Sequence, residues 1–121
     1  MAKLPAFGDA VVEDAKLTDY LLDLSHPRGA AKAQFLMAFG FSPEKLDEAR
    51  EAFLEHVRQN EVSDSQSGRF GTIFEVDGPM RSPDGRNPLV RTVWMIDQGA
   101  LAPRLITMVP LRKSRATRSN S

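Results

Sequence analysis

Cysteine is absent from this chain, tryptophan and tyrosine occur once each, and histidine occurs twice. Without a thiol there can be no disulfide, no thiolate zinc site and no cysteine nucleophile, and a reducing compartment fits that composition. No apolar stretch is long enough to cross a bilayer, and the amino-terminal "MAKLPAFGDAVVEDAK" has no hydrophobic core of the length a signal peptide requires. These absences point to a cytoplasmic protein with no membrane partner. Also missing are HExxH, GxSxG, a Ser-His-Asp order, a Walker loop and a dinucleotide fingerprint, so zinc, acyl-transfer and hydride chemistry find no support. The acidic residues are spread over helix surfaces rather than gathered at ligand spacing. No metal and no cofactor is expected.

What is present is 121 residues, 41% hydrophobic and 26% charged, enough for one domain with a self-sufficient core. The 16 basic and 16 acidic side chains cancel, but unevenly. Residues 1–66 carry 7 basic against 12 acidic groups, and residues 67–121 carry 9 against 4. Arg112, Lys113, Arg115 and Arg118 supply much of the late excess. That composition reads as a basic, disordered tail over 112–121 behind a single domain over 1–111.

Hydrophobic spacing divides the domain into helices followed by strands. A short β-branched run suggests an edge strand at Ala10–Val12. Asp14 is placed to cap a helix whose Leu17, Leu21 and Leu24 share a side beside Tyr20, and a second helix runs from about Gly29 to Phe39. Its predicted inner stripe is Ala31, Phe35, Ala38 and Phe39, with Gly40 ending it at positive φ. In "SPEKLDEAREAFLEHV", Ser42 and Pro43 start a third helix with Leu46, Ala49, Phe53 and Val57 inward. "QNEVSDSQSG" reads as a mobile polar connector. From Arg69 the period becomes two: Phe70, Thr72, Phe74 and Val76 share a face, "PLVRTVWMI" alternates, and "RLITMVPL" forms the last strand. The expected fold is α+β, about three helices packed on an antiparallel sheet of three to four strands.

The candidate chemistry begins at "SHPRGAAKAQF". Amides at a helix start lack intrahelical partners, so Arg28, Gly29 and Ala30 could hold a phosphate, with His26 upstream and Lys32 four residues beyond Arg28. The competing reading makes Ser25 or His26 the helix cap and leaves the cations solvated. His56, in the last turn of the third helix, is read as a favourable partner of the helix dipole. Arg91 interrupts an apolar strand face, and Arg104 shares a face with Ile106 and Met108. Either arginine must reach a cleft or find a carboxylate such as Asp77, Asp97 or Glu75. Thr92 and Thr107 add hydroxyls nearby, and Trp94 is either core or a base-stacking platform.

Taken together, "KLTDYLLDLSHPRGAAKAQFLMAFGFSPE", "GTIFEVDGPM", "PDGR", "VRTVW" and "PRLIT" resemble a small bacterial domain family of unknown function. That family is similar to the C-terminal modules of polymorphic bacterial toxins, in particular the compact metal-independent ribonucleases of the barnase/RelE/colicin-like group. The resemblance spans about Leu4 to Leu111 and implies RNA as substrate and a small inhibitor protein as partner. It implies catalytic roles for His26, Lys32, Arg91, Arg104 and Thr107, with His26 moving the proton. Toxin modules usually end a long secreted polypeptide, whereas a chain opening on its own Met suggests a free-standing intracellular protein. A second reading, a non-enzymatic interaction module, uses the acidic third helix or a sheet edge as its contact surface.

Overall fold

The computed structural model describes residues 2–111; the basic tail over 112–121 lies outside the described residues. The chain runs through a 3₁₀ turn at Phe7–Asp9, then α1 (Asp14–Lys16), which continues as a π turn over Leu17–Leu21, then α2 (Ala30–Ala38) and α3 (Leu46–Gln59). Four strands follow, β1 (Val62–Gly68), β2 (Gly71–Pro79), β3 (Leu89–Asp97) and β4 (Arg104–Pro110). They pair antiparallel in sequence order as one meander. The α+β architecture of helices on a small antiparallel sheet is thus the observed one.

Several local expectations are corrected. Leu22 N–H donates to the Leu17 carbonyl at 2.8 Å, the i to i+5 bond of a π turn, so Leu17, Leu21 and Leu22 turn inward while Leu24 stands 54% exposed. Asp14 does not cap α1; its carboxylate pairs with Arg50, which also donates to the Val12 carbonyl. In α2 the buried residues are Ala33 and Leu36, whereas Ala31 and Ala38 are exposed. That helix is apolar nearly all round, so periodicity could not select its inner row. Gly40 does take positive φ, at 104°. Ser42 caps only a preceding turn, through Glu44 N–H at 3.1 Å, and α3 itself starts at Leu46. The presumed connector is an edge strand, β1, whose side chains are exposed on both faces and therefore carry no alternation. Phe70 lies in the β1–β2 turn, 72% exposed, rather than on the inner face. Val11 makes one parallel bridge to Arg104 in place of a full edge strand.

The helices cover one face of the sheet, and a buried polar chain holds them there. His56 of α3 is 1% exposed, and Thr92 and Trp94 of β3 are fully buried. Trp94 Nε1–H donates to Thr92 Oγ1 at 2.8 Å. The Thr92 hydroxyl lies 3.0 Å from His56 Nδ1, and His56 Nε2 lies 3.1 Å from the Gly78 carbonyl of β2. A carbonyl only accepts, so Nε2 carries the ring proton and Nδ1 accepts from Thr92. One proton arrangement therefore satisfies every group with a neutral ring. The cationic helix-end role read for His56 is replaced by this buried neutral one. Burial pushes its pKa down, against weaker upward contributions from the Gly78 and Val90 backbone and from Asp77.

Below the ordinary imidazole value near pH ~6.5 the unfolded chain binds a proton that folded His56 refuses, so stability falls as pH drops from there. The slope approaches about 1.4 kcal/mol per pH unit. Urea midpoints between about pH 7.5 and about pH 5 measure it. His56→Gln lowers stability by about 1–3 kcal/mol at neutral pH and flattens this part of the profile.

Candidate functional site

With α2 and α3 on one face, register defines the other. Val76, Val90, Thr92, Trp94, Leu105 and Met108 are buried against the helices, while the intervening side chains are half-buried or exposed. Three successive rows cross this open face. Asp77, Arg91 and Val109 form one; Glu75, Val93 and Thr107 form the next; Ile73, Met95 and Arg104 form the third. The pairing of β4 shifts between Val93 and Trp94, leaving Ile106 as an extra residue. That bulge reverses parity, so Arg104 lies on the opposite face from Met108, contrary to plain alternation.

Both arginines have the carboxylate partners that burial on a sheet demands. Arg91 Nε and Nη2 donate to Asp77 at 2.8 and 3.0 Å, and Nε also stands 3.4 Å from Glu75. Arg104 Nε and Nη2 donate to Asp97 at 2.8 and 3.1 Å. These bonds hold each guanidinium charge more firmly, and the Arg104 hydrogen bond holds the Asp97 carboxyl below the usual carboxylate range. The pairing uses only the Nε/Nη2 edge of each fork. Among the described residues the remaining guanidinium N–H groups have no hydrogen-bond partner, and a guanidinium fork can pair with a carboxylate or phosphate.

The helix side meets this face along β4. Tyr20 Oη lies 2.9 Å from Thr107 Oγ1, and the His26 ring packs edge-on to Tyr20 with centroids 5.0 Å apart. Lys16 Nζ lies 5.3 Å from the Tyr20 ring centre, and Lys32 Nζ donates to the Met108 carbonyl at 2.8 Å. Thr107 therefore belongs to both sets. It sits in the Glu75 row and touches the helix cluster that carries His26 and Lys32.

His26 caps the turn that leads into α2. Arg28 N–H and Gly29 N–H both donate to His26 Nδ1, at 2.9 and 3.0 Å, and Ala30 N–H donates to the His26 carbonyl at 3.0 Å. The amides assigned to phosphate are thus occupied by the imidazole and its own backbone. A Cβ on Gly29 would stand 2.3 Å from the Tyr20 carbonyl oxygen, so glycine serves close packing here rather than anion approach. With Nδ1 already accepting two amides, the ring's other nitrogen is left as an N–H donor rather than a proton acceptor. Asp23 in turn accepts from Ser25 N–H and Oγ–H at 2.9 and 2.6 Å, and these bonds hold its carboxyl below the usual range.

Trp94 is fully buried and spent on Thr92, so it cannot stack on a base. Glu75 and Asp77, which alternate in "FEVDG" opposite Arg91, were weighed in the sequence as its partners, and the structure pairs them with it. Tyr20 meets Thr107 across 87 residues of sequence, and no local pattern announces such a contact. Among the described residues no group of three or more His, Asp or Glu side chains is arranged to hold a metal ion, and no helix is long and apolar enough to cross a membrane.

If His26 serves as a cap, His26→Ala costs about 1 kcal/mol, while His26→Asn, whose side-chain oxygen can accept the same two bonds, recovers most of it. Thermal or urea unfolding of both variants reads the difference.

A family model described as a domain of unknown function (DUF6883) matches residues 3–112, and the chain belongs to that family. Its fold is similar to that of a chain in the contact-dependent growth inhibition toxin–immunity protein complex from Klebsiella pneumoniae 342. The TM-score is 0.68, over 84% of this chain and 100% of that one, at 14% identity; the likeness is one of fold. No curated protein matches in sequence.

Proposed function

For this DUF6883 member we propose a metal-independent, toxin-type ribonuclease whose active site is the open sheet face. One observation carries the reading: the row Glu75–Val93–Thr107, flanked on its two sides by the rows bearing Arg91 and Arg104. Glu75 and Thr107 stand two strands apart, about 10 Å between backbones, with Val93 as the floor between them. That gap admits a phosphodiester with a carboxylate on one side, a hydroxyl pair on the other, and guanidinium donors above and below.

In this scheme Glu75 accepts the proton of the ribose 2′-hydroxyl. The 2′-oxygen attacks phosphorus, the P–O5′ bond breaks, and the departing oxygen takes a proton from the Tyr20 hydroxyl at its Thr107 contact. Arg91 and Arg104 hold the non-bridging oxygens through the edges their carboxylates leave free. His26 Nε2–H, with Lys32 beside β4, adds donors at the rim, a supporting part in place of the proton-moving one the resemblance implied. The products are a 2′,3′-cyclic phosphate and a 5′-hydroxyl, so neither metal nor cofactor enters the balance. The net charge of zero favours a local cationic site over broad nucleic-acid affinity. The fold likeness to a component of a toxin–immunity complex supports the toxin-type assignment.

A second reading, a protein-binding module, draws support from that same complex and from a groove between α3 and the β2–β3 loop. The groove is lined by Phe41, Ala52 and Pro83 together with Glu48, Glu51 and Glu55, the last paired with Arg81.

Incubation of the purified protein with total RNA in the presence of a chelator decides between them. Cleavage leaving cyclic-phosphate ends is expected, falling about 10²-fold or more in Glu75→Gln and in Tyr20→Phe. RNA left intact at stoichiometric protein overturns the ribonuclease reading.

A further inference from the structure

The open face continues past Glu75 onto β1. Asp64 pairs with Glu75 and Gln66 with Ile73, so both β1 side chains share the face that carries Glu75 and Arg91. The register shift between Val62 and Asp64 lies outside this stretch; it lets Val62 pack against the core while Asp64, two residues on, turns to the open side. Asp64 and Gln66 are both exposed. Arg91 is taken by Asp77 and Glu75, which leaves the Asp64 carboxylate with no cation of its own among the described residues. Its pull on the Arg91 charge comes after those of Asp77 and Glu75. A carboxylate directly opposite another is a pairing that a sheet does not favour for its own stability.

In the proposed cleavage scheme, the positions of base and acid set the direction of a bound strand. Glu75 takes the proton of the attacking 2′-hydroxyl and Tyr20 protonates the departing 5′-oxygen. The nucleotide on the 5′ side of the cut then lies over β2 and β1, and the nucleotide on the 3′ side lies over β4. The charges agree with that direction. Lys32, at the Met108 carbonyl, and Lys16, beside the Tyr20 ring, stand on the β4 side, where the next phosphate falls. Asp64 beside Glu75 repels a phosphate and accepts from a neutral group with N–H donors. One strand spacing, about 4.8 Å, separates the two backbones, so Asp64 is within reach of the base carried by the ribose that Glu75 meets.

We propose that Asp64 and Gln66 form the base subsite of this ribonuclease, holding the nucleotide 5′ to the cut and selecting bases with an exocyclic amino group over uracil. The inference rests on the ribonuclease reading. An ionised carboxylate only accepts, and adenine, cytosine and guanine each offer it an amino group. Uracil offers a single N–H between two carbonyl oxygens, both of which a carboxylate repels. The Gln66 amide, donor and acceptor at once, completes the contact on the same edge of the base. Unstacked bases of single-stranded RNA present that edge.

Four RNA oligonucleotides, 2′-O-methylated everywhere but at one internal A, C, G or U, test the subsite, because each keeps a single attacking hydroxyl. The expected kcat/KM is higher for the three amino-bearing substrates than for the uridine one by roughly tenfold. Asp64→Asn, whose amide can donate to the uracil carbonyls, closes that gap. The ratio is the deciding readout: a change in folding, or in Glu75 as a base, is common to all four substrates and cancels. Equal rates on all four, or a gap that survives Asp64→Asn, overturn the subsite and leave the ribonuclease reading standing. Four intact substrates also overturn it, and total RNA in the chelator assay then shows whether the ribonuclease reading falls too.

Discussion

The hydrogen-bonded chain from Trp94 through Thr92 and His56 to the Gly78 carbonyl is the constraint on which the rest of the arrangement depends. A polar group taken out of water without a partner costs on the order of 1–3 kcal/mol, and here two side chains on β3, one on α3 and a backbone carbonyl on β2 each satisfy another. No buried side-chain nitrogen or oxygen among the described residues lacks a partner. Such a chain closes in one orientation of α3 against one face of the sheet. It therefore decides which residues of the strands are core, and by exclusion which ones remain available for chemistry.

Everything on the open face follows from that choice. With Thr92 and Trp94 inward, Arg91, Val93 and Met95 must point outward, and β2 answers with Asp77, Glu75 and Ile73 at the facing positions. Arginines so placed are oriented by carboxylates rather than disordered in solvent, which in the proposed ribonuclease lowers the entropy lost when a phosphate oxygen is held. The bulge at Ile106 then serves the site. It places Arg104 on the open side while Leu105 and Met108 stay in the core, an outcome plain alternation along β4 could not deliver. The likeness of fold at 14% identity has the same origin, since a helix layer on a four-stranded meander constrains burial far more than it constrains individual side chains.

Legibility differed by element, for physical reasons. The long α3 and the central β2 and β3 carried strong periodicity because each has one wet and one dry side. By contrast α2 was recognisable as a helix but not by its inner row, since nearly every side of it is apolar. β1 was invisible: both its faces are wet, and backbone pairing leaves no trace in side-chain type. In the candidate site, Arg91 and Arg104 stood out because a guanidinium among aliphatic residues demands an explanation, and their carboxylate partners were among the alternatives weighed. Glu75 was readable as a partner of Arg91, and its part as the proposed base comes only from its place in the row with Val93 and Thr107. The amides of Arg28, Gly29 and Ala30, read as a place for a phosphate, are taken instead by His26, the first two by its imidazole and the third by its carbonyl.

What the sequence determined by itself were the properties that depend on composition and local spacing: helices before strands, an α+β fold, no thiol chemistry, and an unbalanced charge distribution. Only the tertiary structure decided which sheet face stays open, that Thr107 meets Tyr20, that His56 is neutral and buried, and that Val11 runs along the edge of β4. Those outcomes rest on contacts between residues far apart in the chain. Their energies come from desolvation and hydrogen-bond closure that exist only once α3 has docked, so no window of sequence contains them.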